Sequence, residues 1–215
     1  MQYTIMSNDA VSVQAASVVR AMIIEGQISD GERINEVKLS QKLGISRTPL
    51  REGLGQLVAE QFVHLIPRRG FFAAELTPKE FSDLYDLRPI LDPQALILGG
   101  QPTDDEIDAI EASNDDFINA EPGSAAVAAD EIFHRRLLAN CPNKVLLDLI
   151  ETLIRRTQRY ELALLRAESP VKQSGEQHSK IIKALREHDL AGAAERLREN
   201  LTSGKSAILN WLSSR

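Results

Sequence analysis

Cysteine is nearly absent from this 215-residue chain. Cys141 stands alone, so no intrachain disulfide can form, and a disulfide-built secreted scaffold is excluded. No apolar run approaches the ~18–20 residues of a membrane span. The opening Met1-Gln2-Tyr3-Thr4-Ile5-Met6 lacks the basic region and long apolar stretch of a signal peptide. A soluble, cytoplasmic protein with no membrane partner is expected. The sequence also lacks internal repeats and low-complexity tracts. It is 43% hydrophobic and 26% charged, a composition that buries a core and excludes wholesale disorder. Its length accommodates one large domain or two modest ones.

The chain has no overall basic character, with a formal net charge of −6, but the charge is unevenly placed. Residues 1–75 hold eight Lys/Arg and eight Asp/Glu, so the whole deficit falls in residues 76–215. Within the neutral part, Arg33, Lys38, Lys42, Arg47 and Arg51 face Glu36 alone, and Arg68 and Arg69 follow. Such clusters attract a polyanion, while an acidic remainder discourages indiscriminate sticking.

In the first 75 residues, Val11, Ala15, Val18, Val19, Met22 and Ile23 recur at helical spacing, and Gly26 can end that helix. Asn35 can cap a second helix carrying Val37, Leu39 and Leu43. After Gly44, Ser46 can cap a third containing Leu50, Leu54, Leu57 and Val58. Two short helices joined by a glycine turn make a helix-turn-helix, whose second helix offers its first turn to the DNA major groove. Here that turn is Ser46-Arg47-Thr48-Pro49-Leu50-Arg51. Pro49 is tolerated there because first-turn amides have no partner within the helix. Arg47 and Arg51, four apart, share one face on either side of Thr48, and guanidinium groups suit guanine edges or phosphates. The alternative is an exposed helix with ordinary surface arginines.

The β-prone runs Phe62–Ile66 and Phe71–Ala74 flank Pro67-Arg68-Arg69-Gly70 and read as a hairpin. Three helices and a hairpin give a winged helix with Arg68, Arg69 and Gly70 at the wing tip. His64 is read as structural.

The run from Leu39 to Glu52 (LSQKLGISRTPLRE) resembles the signature of the GntR family of bacterial transcription regulators, and Pro67-Arg68-Arg69-Gly70-Phe71-Phe72 resembles the family's wing. The resemblance implies that Arg47, Thr48 and Arg51 meet an operator, as does the wing around Arg69 and Gly70. The candidate DNA-binding residues are therefore Ser46, Arg47, Thr48, Pro49, Arg51, Arg68, Arg69 and Gly70. Gly53 and Gly55 depart from the family pattern, each lowering helix propensity by about 1 kcal/mol relative to alanine. Gln61 stands where a turn glycine is usual.

From Thr77 onward the pattern is helical. Thr77, Pro78 and Glu80 begin a helix expected to run to Gly99-Gly100. Further helices are expected after Thr103, over about 125–139, over about 144–166, from a break at Ser169-Pro170 to about His188, and from Leu190 to Trp211. The fold class is thus mainly α: a winged helix-turn-helix with a small β-hairpin wing over 1–75, then an all-α antiparallel helical bundle over 76–215.

Asp130 and His134 lie four apart on one helix face, and His178 follows on another helix. Carboxylate and imidazoles so spaced can coordinate a divalent metal, or form an ordinary ion pair. Arg88, if it points inward, needs a partner: an effector carboxylate, or an internal one such as Asp92 or Asp130. The runs Leu84–Asp92, Asp130–Asn143 and His178–Leu185, with Asp189–Leu201, resemble the FCD-like ligand-binding domain of the FadR-type branch of this family. That resemblance implies a divalent metal (Zn, Ni, Mn or similar) held by Asp130, His134, His178 and a fourth position that falls on Asn200, where histidine is usual. It also implies a small carboxylate effector at or near the metal. The expectation is a homodimeric, non-enzymatic regulator that binds double-stranded operator DNA in response to a small organic acid. Two alternatives stand beside it: a metal-dependent hydrolase, and a regulator that senses the metal itself.

Overall fold

The computed structural model describes residues 8–165 and 171–213. The chain divides into two compact units, Met1–Glu75 and Leu76–Arg215. The first unit comprises α1 (Asn8–Ile24), α2 (Glu36–Leu43), α3 (Arg47–Ala59), β1 (Val63–Ile66) and β2 (Gly70–Ala73). Its core joins Ala16, Val19, Met22 and Ile23 of α1 to Leu39 of α2, Leu50, Leu54 and Leu57 of α3, and Phe62, Val63, Phe71 and Ala73 around the hairpin. Fully burying one such Leu or Phe stabilises the unit by about 1.5–3 kcal/mol. Val18, expected on the inward face of α1, is instead 44% exposed, whereas Ala15 and Ala16 are buried.

Local chemistry sets the ends of these elements. Asn35 Oδ1 accepts from the amides of Val37 and Lys38, which starts α2. Gly44 ends it with φ +67°, a left-handed conformation that costs glycine nothing. Ser46 occupies the N-cap of α3 in extended conformation, but its side chain makes no capping bond. Gln61 closes the turn after α3 with φ +63°, so the position where a glycine is usual does demand the left-handed region. The hairpin is antiparallel, pairing Val63 with Ala73, His64 with Phe72, Leu65 with Phe71 and Ile66 with Gly70. Arg33 adds an isolated bridge to Phe72, which the sequence pattern did not suggest.

Gly53 is required by the close approach of α1 to α3. A Cβ there would sit 2.7 Å from Ser12 O and 3.0 Å from Ala16 N, both backbone atoms of α1. The glycine allows α1 and α3 to pack that closely. Gly55, two residues on, has nothing within 4 Å of a built Cβ.

The second unit holds α4 (Pro78–Tyr85), α5 (Arg88–Gly99), α6 (Asp104–Ile118), α7 (Ser124–Leu137), α8 (Lys144–Leu165), α9 (Val171–Arg186) and α10 (Leu190–Ser213). The single helix expected from Thr77 to Gly99 is two. Pro89 has no amide to bond the carbonyl of Tyr85, and its ring would clash with that carbonyl, so the chain turns through Asp86 and Leu87 and restarts. Thr77 accepts from the amide of Glu80, and Thr103 and Glu106 form a reciprocal capping box. The expected break at Ser169-Pro170 lies outside the described residues.

Helix α6 packs against α7 and α9, and α10 packs against α5 and α9. The main core contains Leu96, Ile107, Phe133, Ile150, Ile181, Leu185 and Leu197, and a smaller cluster joins Phe81, Tyr85, Leu153, Tyr160 and Ile208. Among the described residues no helix is long and apolar enough to cross a membrane.

Candidate functional site

In the first unit, the opening turn of α3 is held by Leu50 and Leu54 in the core, which turns its polar face to solvent. Ser46, Arg47, Thr48 and Arg51 are exposed, as are Arg68 and Arg69 in the hairpin turn. Pro49 is buried, so it shapes the helix start and offers no contact surface. Gly70, half-buried at φ +96°, follows Arg68 at φ +63°, and the two left-handed residues make the tight wing turn. Arg51 is oriented by two neighbours. Its Nη1 donates to both carboxylate oxygens of Glu36 on α2, at 3.1 and 3.0 Å, and its guanidinium lies 5.6 Å from the Phe71 ring centre. Arg69 likewise lies over Phe72, at 5.3 Å. His64 is exposed on β1 rather than packed in the core.

In the second unit, α7 carries Asp130 and His134 on one face, and α9 brings His178 to them. Asp130 Oδ2 is 3.6 Å from His134 Nε2, and Asp130 Oδ1 is 3.5 Å from His178 Nε2. One potential ligand atom from each of the three residues lies within 4.8 Å of the others. These separations are long for direct hydrogen bonds. Carboxylate and imidazole groups gathered this closely are the ligand types that hold a divalent ion.

The protonation states fit the same use. Burial pushes His178 down to about 3, and it holds His134 well below the imidazole range, with Arg88 and His178 adding to that effect. Both rings are therefore neutral near pH 7 and keep a lone pair. His178 Nε2 and His134 Nδ1 are buried without a hydrogen-bond partner. Burial, Glu161 and Glu131 push the Asp130 carboxyl up to about 8 against the pull of Arg88. A cation beside Asp130 would favour its ionised form.

Several residues around this cluster were not singled out from the sequence. Asn114 on α6 lies 3.0 Å through Oδ1 from His178 Nδ1. Phe133 stacks on the His178 ring at 3.8 Å, and Phe117 lies at 5.2 Å. Tyr85 donates to Glu161 at 3.1 Å, and burial raises the pKa of that carboxylate. The only sequence signal for Asn114 was a polar side chain on a helix face otherwise marked by Ile107, Ile110 and Phe117.

Asn200 is buried, and its Nδ2 donates to Gln177 Oε1 at 3.0 Å. Asn200 thus engages the neighbour of His178 in the chain, while the cluster of close ligand atoms comprises Asp130, His134 and His178. Arg88 is buried and donates to Asp92 Oδ2 from Nε at 3.3 Å and Nη2 at 2.9 Å. Of the partners considered from the sequence, Asp92 is the one it engages. Asp92 is itself fully buried, and its Oδ1 has no partner.

Two family models match the chain. Residues 12–73 match bacterial regulatory proteins of the gntR family, and residues 83–203 match the FCD domain. The chain belongs to the GntR family. This GntR-family regulator is 37% identical over 142 residues to the Nta operon transcriptional regulator of Aminobacter aminovorans, covering 63% of the chain and 66% of that relative. The chain thus spans slightly under two thirds of that relative's length. It is 26% identical over 196 residues to the HTH-type transcriptional repressor GlaR of Escherichia coli, covering 83% of the chain and 87% of the relative. Its fold matches the solved structure of E. coli McbR/YncC with a TM-score of 0.80 over 94% of this chain and 98% of that one, at 20% identity. The two relatives are named as transcriptional regulators, and together with the two family models they make this GntR-family chain a transcriptional regulator rather than an enzyme. The hydrolytic alternative is set aside on that ground.

Proposed function

We propose that this GntR-family regulator is a homodimer that binds a short pseudo-palindromic operator and releases or tightens it in response to a small organic acid held at a divalent cation in the FCD domain. Arg47, Thr48 and Arg51 would enter the major groove, with Ser46 beside them and Arg68, Arg69 and Gly70 against the flanking backbone. Asp130, His134 and His178, with Asn200 through its amide oxygen, would hold the cation, which supplies Lewis acidity toward an effector carboxylate. Arg88 is already engaged by Asp92, so its part is to lend positive field rather than to act as a free carboxylate clamp. The target implies action in the cytoplasm.

The observation that carries this reading is the convergence of Asp130, His134 and His178, with His178 Nε2 buried and partnerless 3.5 Å from Asp130 Oδ1. A coupling of only ~1–3 kcal/mol between the effector site and the DNA-binding unit changes operator affinity by about five- to 150-fold.

The test begins with full-length protein purified without chelator and assayed for bound metal by mass spectrometry. A binding sequence selected from random duplexes is then titrated by fluorescence anisotropy. Chelator-stripped protein is compared with protein reloaded with Zn2+, Ni2+ or Mn2+, with and without a panel of small organic acids. An acid-dependent shift that needs the metal supports the reading. A metal-dependent shift indifferent to every acid identifies the ion itself as the signal. Absence of metal uptake by the wild-type chain refutes the site.

A further inference from the structure

We infer that Asn114 is a positioning residue for the cation site: it fixes His178 as the Nδ1–H tautomer and so leaves Nε2 as the lone pair that faces Asp130. The inference rests on the reading of Asp130, His134 and His178 as cation ligands. It concerns a residue on a third helix, α6, that is not itself a ligand.

Asn114 is buried, and its Nδ2 lies 3.3 Å from the carbonyl oxygen of Gly175 and 3.3 Å from Ser179 Oγ. A backbone carbonyl accepts and cannot donate, so the nitrogen end of the amide must face Gly175. Ser179 Oγ donates to the same Gly175 carbonyl at 3.0 Å, which leaves its lone pairs for Asn114. With the nitrogen end fixed, Oδ1 is the atom 3.0 Å from His178 Nδ1. A carboxamide oxygen only accepts, so the imidazole proton resides on Nδ1. Nε2 is then unprotonated, buried, without a hydrogen-bond partner and 3.5 Å from Asp130 Oδ1. The opposite tautomer would set two acceptors against each other at 3.0 Å and turn an N–H toward the cation position.

The surroundings hold the ring itself. Phe133 stacks on His178 with an interplanar angle of 14°, which fixes the ring plane and leaves the choice of nitrogen to Asn114. Gly175 brings α9 onto α6, since a Cβ there would sit 2.6 Å from Ile118 Cγ1. That close approach puts the Gly175 carbonyl within reach of Asn114. Partners of this kind orient a metal-bound imidazole and typically change metal affinity by about 10–100-fold.

The test reads the tautomer and the affinity separately. Long-range 15N–1H spectra of chelator-stripped full-length protein, with His178 assigned through His178→Gln, should show His178 protonated on Nδ1. Calorimetric titration with Zn2+ should give Asn114→Leu an affinity about 10–100-fold below wild type. Asn114→Asp, which can still accept from Nδ1 although its second oxygen opposes the Gly175 carbonyl, should keep the tautomer. A wild-type spectrum with the proton on Nε2 overturns the inference, and this arm needs no variant to fold. A folded Asn114→Leu protein with wild-type tautomer and wild-type Zn2+ affinity also overturns it. If wild type takes up neither Zn2+ nor Ni2+, the cation reading fails, and that failure is distinguishable because the tautomer is read without metal.

Discussion

Two glycines in α3 offer a comparison in which one contribution cancels. Gly53→Ala and Gly55→Ala each gain about 1 kcal/mol of helix propensity. At Gly55 the added methyl meets nothing within 4 Å, so the gain should appear undiminished. At Gly53 the methyl arrives 2.7 Å from Ser12 O and 3.0 Å from Ala16 N. Those are backbone atoms, so relief requires α1 to move away from α3 along an interface that includes Ala16, Val19, Leu50 and Leu54. Overpacking of this kind costs about 1–3 kcal/mol. The difference between the two alanine variants is therefore the steric cost alone, about 1–3 kcal/mol. The net effect of Gly53→Ala falls between neutral and about 2 kcal/mol destabilising after the propensity gain. Hydrogen exchange of α1 and α3 peptides in the full-length protein reads this locally, at about tenfold in exchange rate per 1.4 kcal/mol. Gly55→Ala should slow exchange, while Gly53→Ala should leave it unchanged or speed it. Equal slowing in both variants would refute the argument that Gly53 is required by helix approach.

Three further outcomes are expected. Gln61→Gly relieves a left-handed side-chain-bearing residue and should stabilise the first unit by up to about 1 kcal/mol, read by the same exchange measurement. Asp92→Ala leaves the buried Arg88 guanidinium without its counter-charge and should cost about 3–5 kcal/mol in urea unfolding followed by circular dichroism, whereas Arg88→Leu with Asp92→Leu should cost much less. Arg51→Ala should weaken a selected duplex by about 1–3 kcal/mol in anisotropy titrations, while Glu36→Ala, which frees Arg51 from an ion pair worth at most about 1 kcal/mol, should strengthen binding to random duplex. Unchanged affinity in Arg51→Ala would remove it from the proposed reading surface.

Much of the architecture was legible because the signals were local. Asn35 and Thr77 mark their helix starts by side-chain chemistry that acts over two or three residues, and Gly44 ends α2 by its backbone freedom. The hairpin declared itself by two β-prone runs around a Pro-Arg-Arg-Gly turn. Where the reading fell short, the deciding partner was distant in sequence or the signal was outweighed. Gly53 looked like a weakness because its partner, Ser12, lies on another helix. The split at Asp86-Leu87 follows from Pro89, whose effect on the preceding turn was masked by a continuous apolar period. The juxtaposition of Asp130 and His134 followed from helical spacing, but the arrival of His178 beside them is tertiary. Asn114 shows in the sequence only as a polar break in an apolar helix face, and its meaning comes from Gly175 and Ser179 across the helix pair. Arg88 was posed as a choice of partners, and packing of α5 selected Asp92, one turn on.

Asp130 and His178 are 48 positions apart in the chain, yet a single ion could bind both. Such an ion would act as a reversible cross-link, closing a loop whose entropic constraint on the unfolded chain is worth up to about 4 kcal/mol in the chain-entropy picture used for disulfides. Starved of that ion, the helical unit would open more often and meet cellular proteases more often. The supply of metal would then set how much regulator a cell retains as well as how the regulator responds.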